Sequence, residues 1–225
     1  MQLVDRIEKR RFVGREFLIW LWFESETFEG TLHVAAHGEF GLWIERSLVL
    51  TSGKEGTRIK GAQPAYGREA KESLCRGKLP ESAGFHLVQG DRESSFTLRA
   101  ERLGVAALKL PTVLGAEADE APVALLEGPK RPPKRKREDK ARQDARESDE
   151  AHEAFYERMQ LTRDFEVLVE ALYADFLAIR LGDSWDAIAA VMRSWATGAE
   201  VDADAYRALR DRALGGGKRR SRAAG

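Results

Sequence analysis

The feature that most constrains this chain is an unbroken run of seven apolar side chains, Phe17 to Phe23, in the stretch GREFLIWLWFESE (residues 14–26). The run holds two of the five tryptophans, Trp20 and Trp22, and charged residues bracket it on both sides. A helix needs about 20 apolar residues to cross a bilayer, so this run is too short to span one. We therefore expect a core element of a soluble, cytoplasmic protein that makes no membrane contact.

Periodicity alone does not separate a helix from a buried strand in so short a run. Glu16 would stand in the first turn of a helix, where the helix dipole favours an acidic residue, and Ile19 is the single β-branched residue of the run. A helix packed on the following sheet is therefore favoured over a strand. On either interpretation Trp20 and Trp22 are expected in the core rather than in a ligand or base-stacking role, because burying such a side chain contributes about 1.5–3 kcal/mol.

Residues 1–114 are predicted to form a mixed α+β domain, because they contain most of the strand-like patterns and glycine turn signals. A helix is expected over 66–78, ending near Gly77, since that segment lacks β-branched residues. The strand-like segments are two or three short strands over 31–53 broken by Gly38 and Gly53, another over 57–64, a hairpin over 83–101 and a closing LKLP at 108–111. The predicted fold class is α+β, with an N-terminal antiparallel sheet and packed helices.

The rest of the chain divides into a charged linker, a helical region and a tail. Residues 115–150 are predicted as a flexible linker that can become helical after Arg137, because low hydrophobicity and dense charge bury too little surface to offset chain entropy. Residues 151–214 are predicted to be helical, with a third, shorter helix over 202–214, and 215–225 as a basic disordered tail. The first helix carries an apolar stripe at spacings of three or four residues, formed by Phe155, Met159, Thr162, Phe165, Val169, Leu172, Phe176 and Ile179.

The sequence offers little catalytic chemistry. The single cysteine, Cys75, is expected to be a small, partly buried residue, and His33 and His37 have no third ligand at metal-binding spacing. Glu69 and Lys71 form a Glu-x-Lys triplet of the kind that Mg²⁺-dependent nucleases use, but such triplets are common at this charge density and this one falls in a predicted helix. We therefore expect no catalytic residues, no metal and no cofactor, and we do not expect an enzyme.

The uneven distribution of charge along the chain is a stronger indication of function than any catalytic motif, although the net charge of the chain is zero. Residues 130–142 contain eight basic and two acidic residues, and the C-terminal GGGKRRSRAAG carries four more basic residues. Lysine and arginine can contact phosphates independently of sequence, whereas the alternative is a solvated linker that keeps the protein soluble. On charge alone, the candidate DNA-binding residues are Lys130, Arg131, Lys134, Arg135, Lys136, Arg137, Lys218, Arg219, Arg220 and Arg222.

Several segments resemble the recombination-associated RdgC family, in its divergent members and in their C-terminal part only. FVGREFLIWLWFESE is similar to an FLG-x-EFL-x-WLW run of that family. EAKESLCRGKLPESAG (69–84), FTLRAERL (96–103) with LKLP, and LYADFLAIRLGDSW (172–185) follow in the same order. The resemblance covers roughly residues 10–196, and the basic segment stands in it as an insertion.

The resemblance implies a nucleoid-associated, non-catalytic protein of mixed α+β fold that binds DNA with little sequence preference. RdgC dimers form a positively charged ring around a duplex and restrain the recombinase RecA, so a homodimer and a recombinase contact are implied as well. No DNA-contacting residue is carried over from the family. The alternative function is a protein–protein interaction module that pairs through its C-terminal amphipathic helices and has no role with nucleic acid.

Overall fold

The apolar run folds as helix α1, Val13–Thr27, so the helical interpretation is confirmed. The computed structural model describes residues 13–35, 37–101, 104–111 and 134–221. For residues 134–151, 154 and 216–221 it describes the backbone only. Trp20 and Trp22 are buried, as expected, and so are residues all around the helix. A helix that is apolar on every side must be covered on every side, and here a sheet and further helices pack against it.

An antiparallel sheet of six strands follows α1, and it confirms the α+β fold class. The strands are β1 (Thr31–Val34), β2 (Gly38–Ser52), β3 (Glu55–Gly61), β4 (Leu79–Gln89), β5 (Arg92–Arg99) and β6 (Gly104–Lys109). Their order in the sheet is β1-β2-β4-β5-β6, and β3 also pairs with β2. The predicted hairpin is β4 and β5, which turn at Gly90 and Asp91.

Strand β2 organises the sheet because it is 15 residues long and bends. Its first part pairs with β1 and its second part with β3 on one edge, while β4 pairs along the other edge. The pairing with β4 shifts between Ile44 and Leu48, and Arg46 adopts a φ of 66° at this point. Such a bulge bends a strand. Gly38 and Gly53 lie at the two turns, where the sequence predicted breaks.

The remaining elements are helical. They are α2 (Arg68–Cys75), α3 (Lys134–Leu181), α4 (Trp185–Ala196) and α5 (Ala203–Ser221). Helix α3 begins three residues before Arg137, inside the segment predicted as a linker, and α5 continues seven residues beyond its predicted end at residue 214. Residues 134–136 and 215–221, which make up these extensions, are charged or glycine-rich and have no apolar periodicity that would predict a helix.

The chain forms two compact units. The first unit combines Met1–Lys109 with Leu168–Gly225, and the second unit is Leu110–Val167. In the first unit, aromatic side chains join α1 to the C-terminal helices. Phe17 lies 5.5 Å from Phe176 of α3, and Trp22 lies 5.2 Å from Trp195 of α4, between ring centroids. Arg180 near the end of α3 donates through Nε to Glu16 of α1 at 2.6 Å. In the second unit, residues 134–167 are helical.

Across the described part of the chain, none of the helices combines the length and the apolar character that crossing a membrane requires.

Candidate functional site

Four of the six basic residues between 130 and 137 lie in the first turn of α3. Lys130 and Arg131 lie outside the described residues, whereas Lys134 to Arg137 form the first helical turn. That turn contains no acidic residue. Cations at a helix N-terminus oppose the helix dipole, so these residues do not help the helix to begin. Four consecutive basic residues thus stand at the helix end where the dipole favours anions.

The C-terminal basic residues lie at the C-terminus of a helix instead. Lys218, Arg219 and Arg220 fall in the last turn of α5, and Arg222 lies outside the described residues. Cations at a helix C-terminus complement the dipole and stabilise the helix. This placement gives the C-terminal group a structural reason to be basic, which the group at the start of α3 lacks. The two groups belong to different compact units.

The Glu-x-Lys triplet is engaged in packing. Glu69 and Lys71 lie on α2, as predicted, and the ammonium of Lys71 forms an ion pair with Glu26 of α1. The same ammonium lies 5.0 Å from the ring centre of Trp195, at cation–π distance. Lys71 therefore ties α2 to α1 and α4. Among the residues that the structure describes, no group of three or more His, Cys, Asp or Glu could hold a metal ion.

Cys75, expected to be partly buried, is exposed, which corrects the sequence interpretation. It is the last residue of α2, and its Sγ donates to the carbonyl of Ala196 at 3.2 Å. The thiol borders a cavity of about 460 Å³ between α1, α2 and α4. The lining residues are Glu16, Ile19, Leu74, Cys75, Trp185, Ala189, Met192, Arg193, Ala196 and Thr197.

The first unit contains a buried charged cluster that the sequence does not predict. Glu24 looks like a flanking charge after the apolar run, but its side chain is completely buried. The hydroxyl of Tyr206 donates to Glu24, and Nε of Arg210 lies 3.4 Å from Oε2 of the same carboxylate. Arg210 also donates through Nη2 to the carbonyl of His33 at 3.1 Å. The cluster thus joins α1, β1 and α5. Its one signal is that Glu24 follows Trp20 by four residues, on the same face of α1.

Burial controls the titration of this cluster. It raises the pKa of Glu24 from 4.5 to about 7, and the nearby Arg210 guanidinium offsets only part of that effect. Burial also raises the pKa of Asp175, against the opposing charges of Arg210 and His33. The pKa of Tyr206 is raised by burial and by the adjacent Glu24 carboxylate. The hydroxyl of Tyr206 therefore keeps its proton and remains a donor, which makes the cluster a structural link between α1 and α5.

Comparison of the chain with protein-family models, with curated proteins and with solved structures finds no match.

Proposed function

We propose that this chain is a non-catalytic protein that binds duplex DNA through its phosphates, without sequence preference. The observation that carries the proposal is the concentration of eight basic residues against two acidic ones over residues 130–142, in a chain whose net charge is zero. Each lysine or arginine that neutralises a phosphate releases a counterion, so such a segment supplies affinity that depends on salt and not on base sequence.

The start of α3 supports this assignment. The backbone of Lys134 to Arg137 is helical, so four cations follow one another within a single turn. Because the helix dipole disfavours cations at this end, the stability of α3 does not account for them. An anionic partner does account for them, since it would neutralise both the side chains and the positive end of the dipole.

The resemblance to the RdgC family supports the same class of partner. On that resemblance, the proposal places the protein in the cytoplasm at the nucleoid and extends to a role in modulating recombination through a recombinase. These extensions depend on the DNA-binding proposal and fall with it.

The test is fluorescence-anisotropy binding to a duplex of unrelated sequence at about 50 and 200 mM salt, the range in which phosphate contacts weaken steeply. The variant replaces Lys130, Arg131, Lys134, Arg135, Lys136 and Arg137 with serine. We expect its affinity at low salt to fall by about tenfold or more and its salt dependence to flatten, equally for all duplex sequences.

A matched control removes the same number of positive charges from the sheet. It replaces six exposed basic residues with serine, namely Lys54, Arg58, Lys60, Arg92, Arg99 and Lys109. The control should bind nearly as well as the unaltered chain. A loss of affinity confined to the control would move the interface to the sheet, and absence of binding by the unaltered chain at low salt would refute the proposal.

A further inference from the structure

The apolar stripe of α3 is buried in its C-terminal part and exposed in its N-terminal part. Phe165, Leu172 and Phe176 are buried, whereas the exposed fractions of Phe155 and Met159 are 57% and 54%. The stripe that the sequence predicts as continuous is therefore divided close to Thr162. Adjacent exposed side chains of this size are typical of an interaction surface.

The exposed part of the stripe continues toward the start of α3 with heptad spacing. From Met159 backward, steps of four and three residues alternate through positions that carry no Asp, Glu, Lys or Arg. We call the set the α3 seam: Ala141, Ala145, Ser148, His152, Phe155 and Met159. All six positions lie on the helical backbone of α3. In a helix otherwise dense in charge, such alternation is the pattern of positions a and d of a coiled coil.

We infer that the α3 seam binds the α3 seam of a second copy of this chain, with the two helices antiparallel and a two-fold axis at residue 150. This alignment pairs each large residue with a small one. Phe155 faces Ala145 of the second copy, and Met159 faces Ala141 of the second copy. The central layers pair Ser148 with His152 of the second copy. The contact is isologous, because every layer occurs twice about the axis.

Charge beside the seam selects the antiparallel orientation. In that orientation Asp144 lies beside Arg158 of the second copy, and this attractive pair occurs twice. A parallel pair would instead place Asp144 beside Asp149 of the second copy, and Arg158 beside Arg163 of the second copy. Like charges at these flanking positions disfavour a parallel coiled coil. The antiparallel pair has one such contact near the axis, between the two copies of Asp149.

The α3 seam is short, which sets the strength expected of the contact. Residues 141–159 span about 28 Å of helix and supply six layers. Two phenylalanines and two methionines provide most of the apolar surface, so we expect a dimer with a dissociation constant on the order of micromolar. This inference does not rest on the proposed DNA binding, since none of the basic candidate residues belongs to the seam.

The first test is sedimentation equilibrium of the full chain over about 1 to 100 μM, the range in which a micromolar dimer dissociates. A variant with Phe155→Ala and Met159→Ala should raise the dissociation constant by about tenfold or more. The matched control is Glu153→Ala with Glu157→Ala, which alters exposed residues on the side of the helix away from the seam. It should leave the dissociation constant unchanged.

The second test fixes orientation by crosslinking. Cys75, the single cysteine, is first replaced with serine. One chain then carries Ser148→Cys and another carries His152→Cys. An antiparallel seam predicts a disulfide in an oxidised mixture of the two chains and none, or little, in either chain alone.

Two outcomes would overturn the inference. Crosslinking within a single variant, with no gain on mixing, would mean a parallel pair. A chain that remains monomeric throughout the concentration range, or a dimer that Phe155→Ala with Met159→Ala leaves intact, would mean that the α3 seam is not a self-association surface.

Discussion

At the scale of single residues, Glu24 shows the largest difference between sequence and structure. Its position after the apolar run predicts a solvated flanking charge, yet α1 is surrounded and its carboxylate is buried beside Tyr206 and Arg210. The sequence could predict that α1 belongs to the core. It could not predict this burial, because Arg210 and Tyr206 stand more than 180 residues away along the chain.

Replacing Glu24 with glutamine tests the consequence of that burial for stability. The folded-state pKa of about 7 lies above the ordinary value of 4.5, so the folded chain binds this proton more tightly than the unfolded chain. The resulting stabilisation is complete below about pH 4.5 and is lost as the pH rises through about 7. Between pH 5 and 8 the unaltered chain should lose roughly 2–3 kcal/mol of unfolding free energy that Glu24→Gln does not lose.

Urea denaturation at pH 5, 6, 7 and 8 measures this difference. Glu39→Gln, which alters an exposed carboxylate on β2, is the control and should follow the unaltered chain. Parallel pH profiles for Glu24→Gln and the unaltered chain would show that Glu24 does not titrate abnormally.

At the scale of elements, local patterns predicted most helices and strands, but not what covers them. Glycine turns located the ends of β2, and apolar spacing located the second half of α3. Nothing local identified α4 as the cover for α1, a contact that depends on Trp195 packing against Trp22 and Phe23. The candidate basic residues were equally visible from charge alone. Helix was predicted only as an alternative and only after Arg137, so the helical setting of Lys134 to Arg137 was not predicted.

Trp195→Ala tests this contact between α1 and α4. The side chain is buried, and its ring centroid lies 5.2 Å from that of Trp22, so its removal leaves a large cavity against α1. We expect the free energy of unfolding to fall by about 3–5 kcal/mol, measured by chemical denaturation. Tyr156→Ala removes an aromatic ring that is 66% exposed and should cost far less. Equal losses in the two variants would contradict the packing described.

At the scale of the whole molecule, composition and compact structure divide the chain differently. Composition suggests a sheet domain over 1–114 and a separate helical region over 151–214, whereas one compact unit combines Met1–Lys109 with Leu168–Gly225. The reason is physical: α1 is apolar on all sides, and the sheet covers only part of it. The C-terminal helices supply the rest of the cover.

A fragment experiment tests this interdependence. Residues 1–114 alone should lack a cooperative thermal transition, because Phe17, Trp22 and Glu24 would lose the helices that bury them. Mixing with a second fragment, residues 134–225, should restore cooperativity and the near-UV circular dichroism of packed tryptophans. Cooperative unfolding of 1–114 without the second fragment would show that the sheet and α1 are sufficient.

The placement of the tryptophans has a spectroscopic consequence. All five, Trp20, Trp22, Trp43, Trp185 and Trp195, fall in the unit that combines Met1–Lys109 with Leu168–Gly225. Tryptophan emission, excited at wavelengths that tyrosine does not absorb, therefore reports on that unit alone, while the far-ultraviolet helical signal also includes residues 134–167 of α3. A melt followed by both signals separates the two parts of the chain without any added label, since the first half of α3 contains no tryptophan.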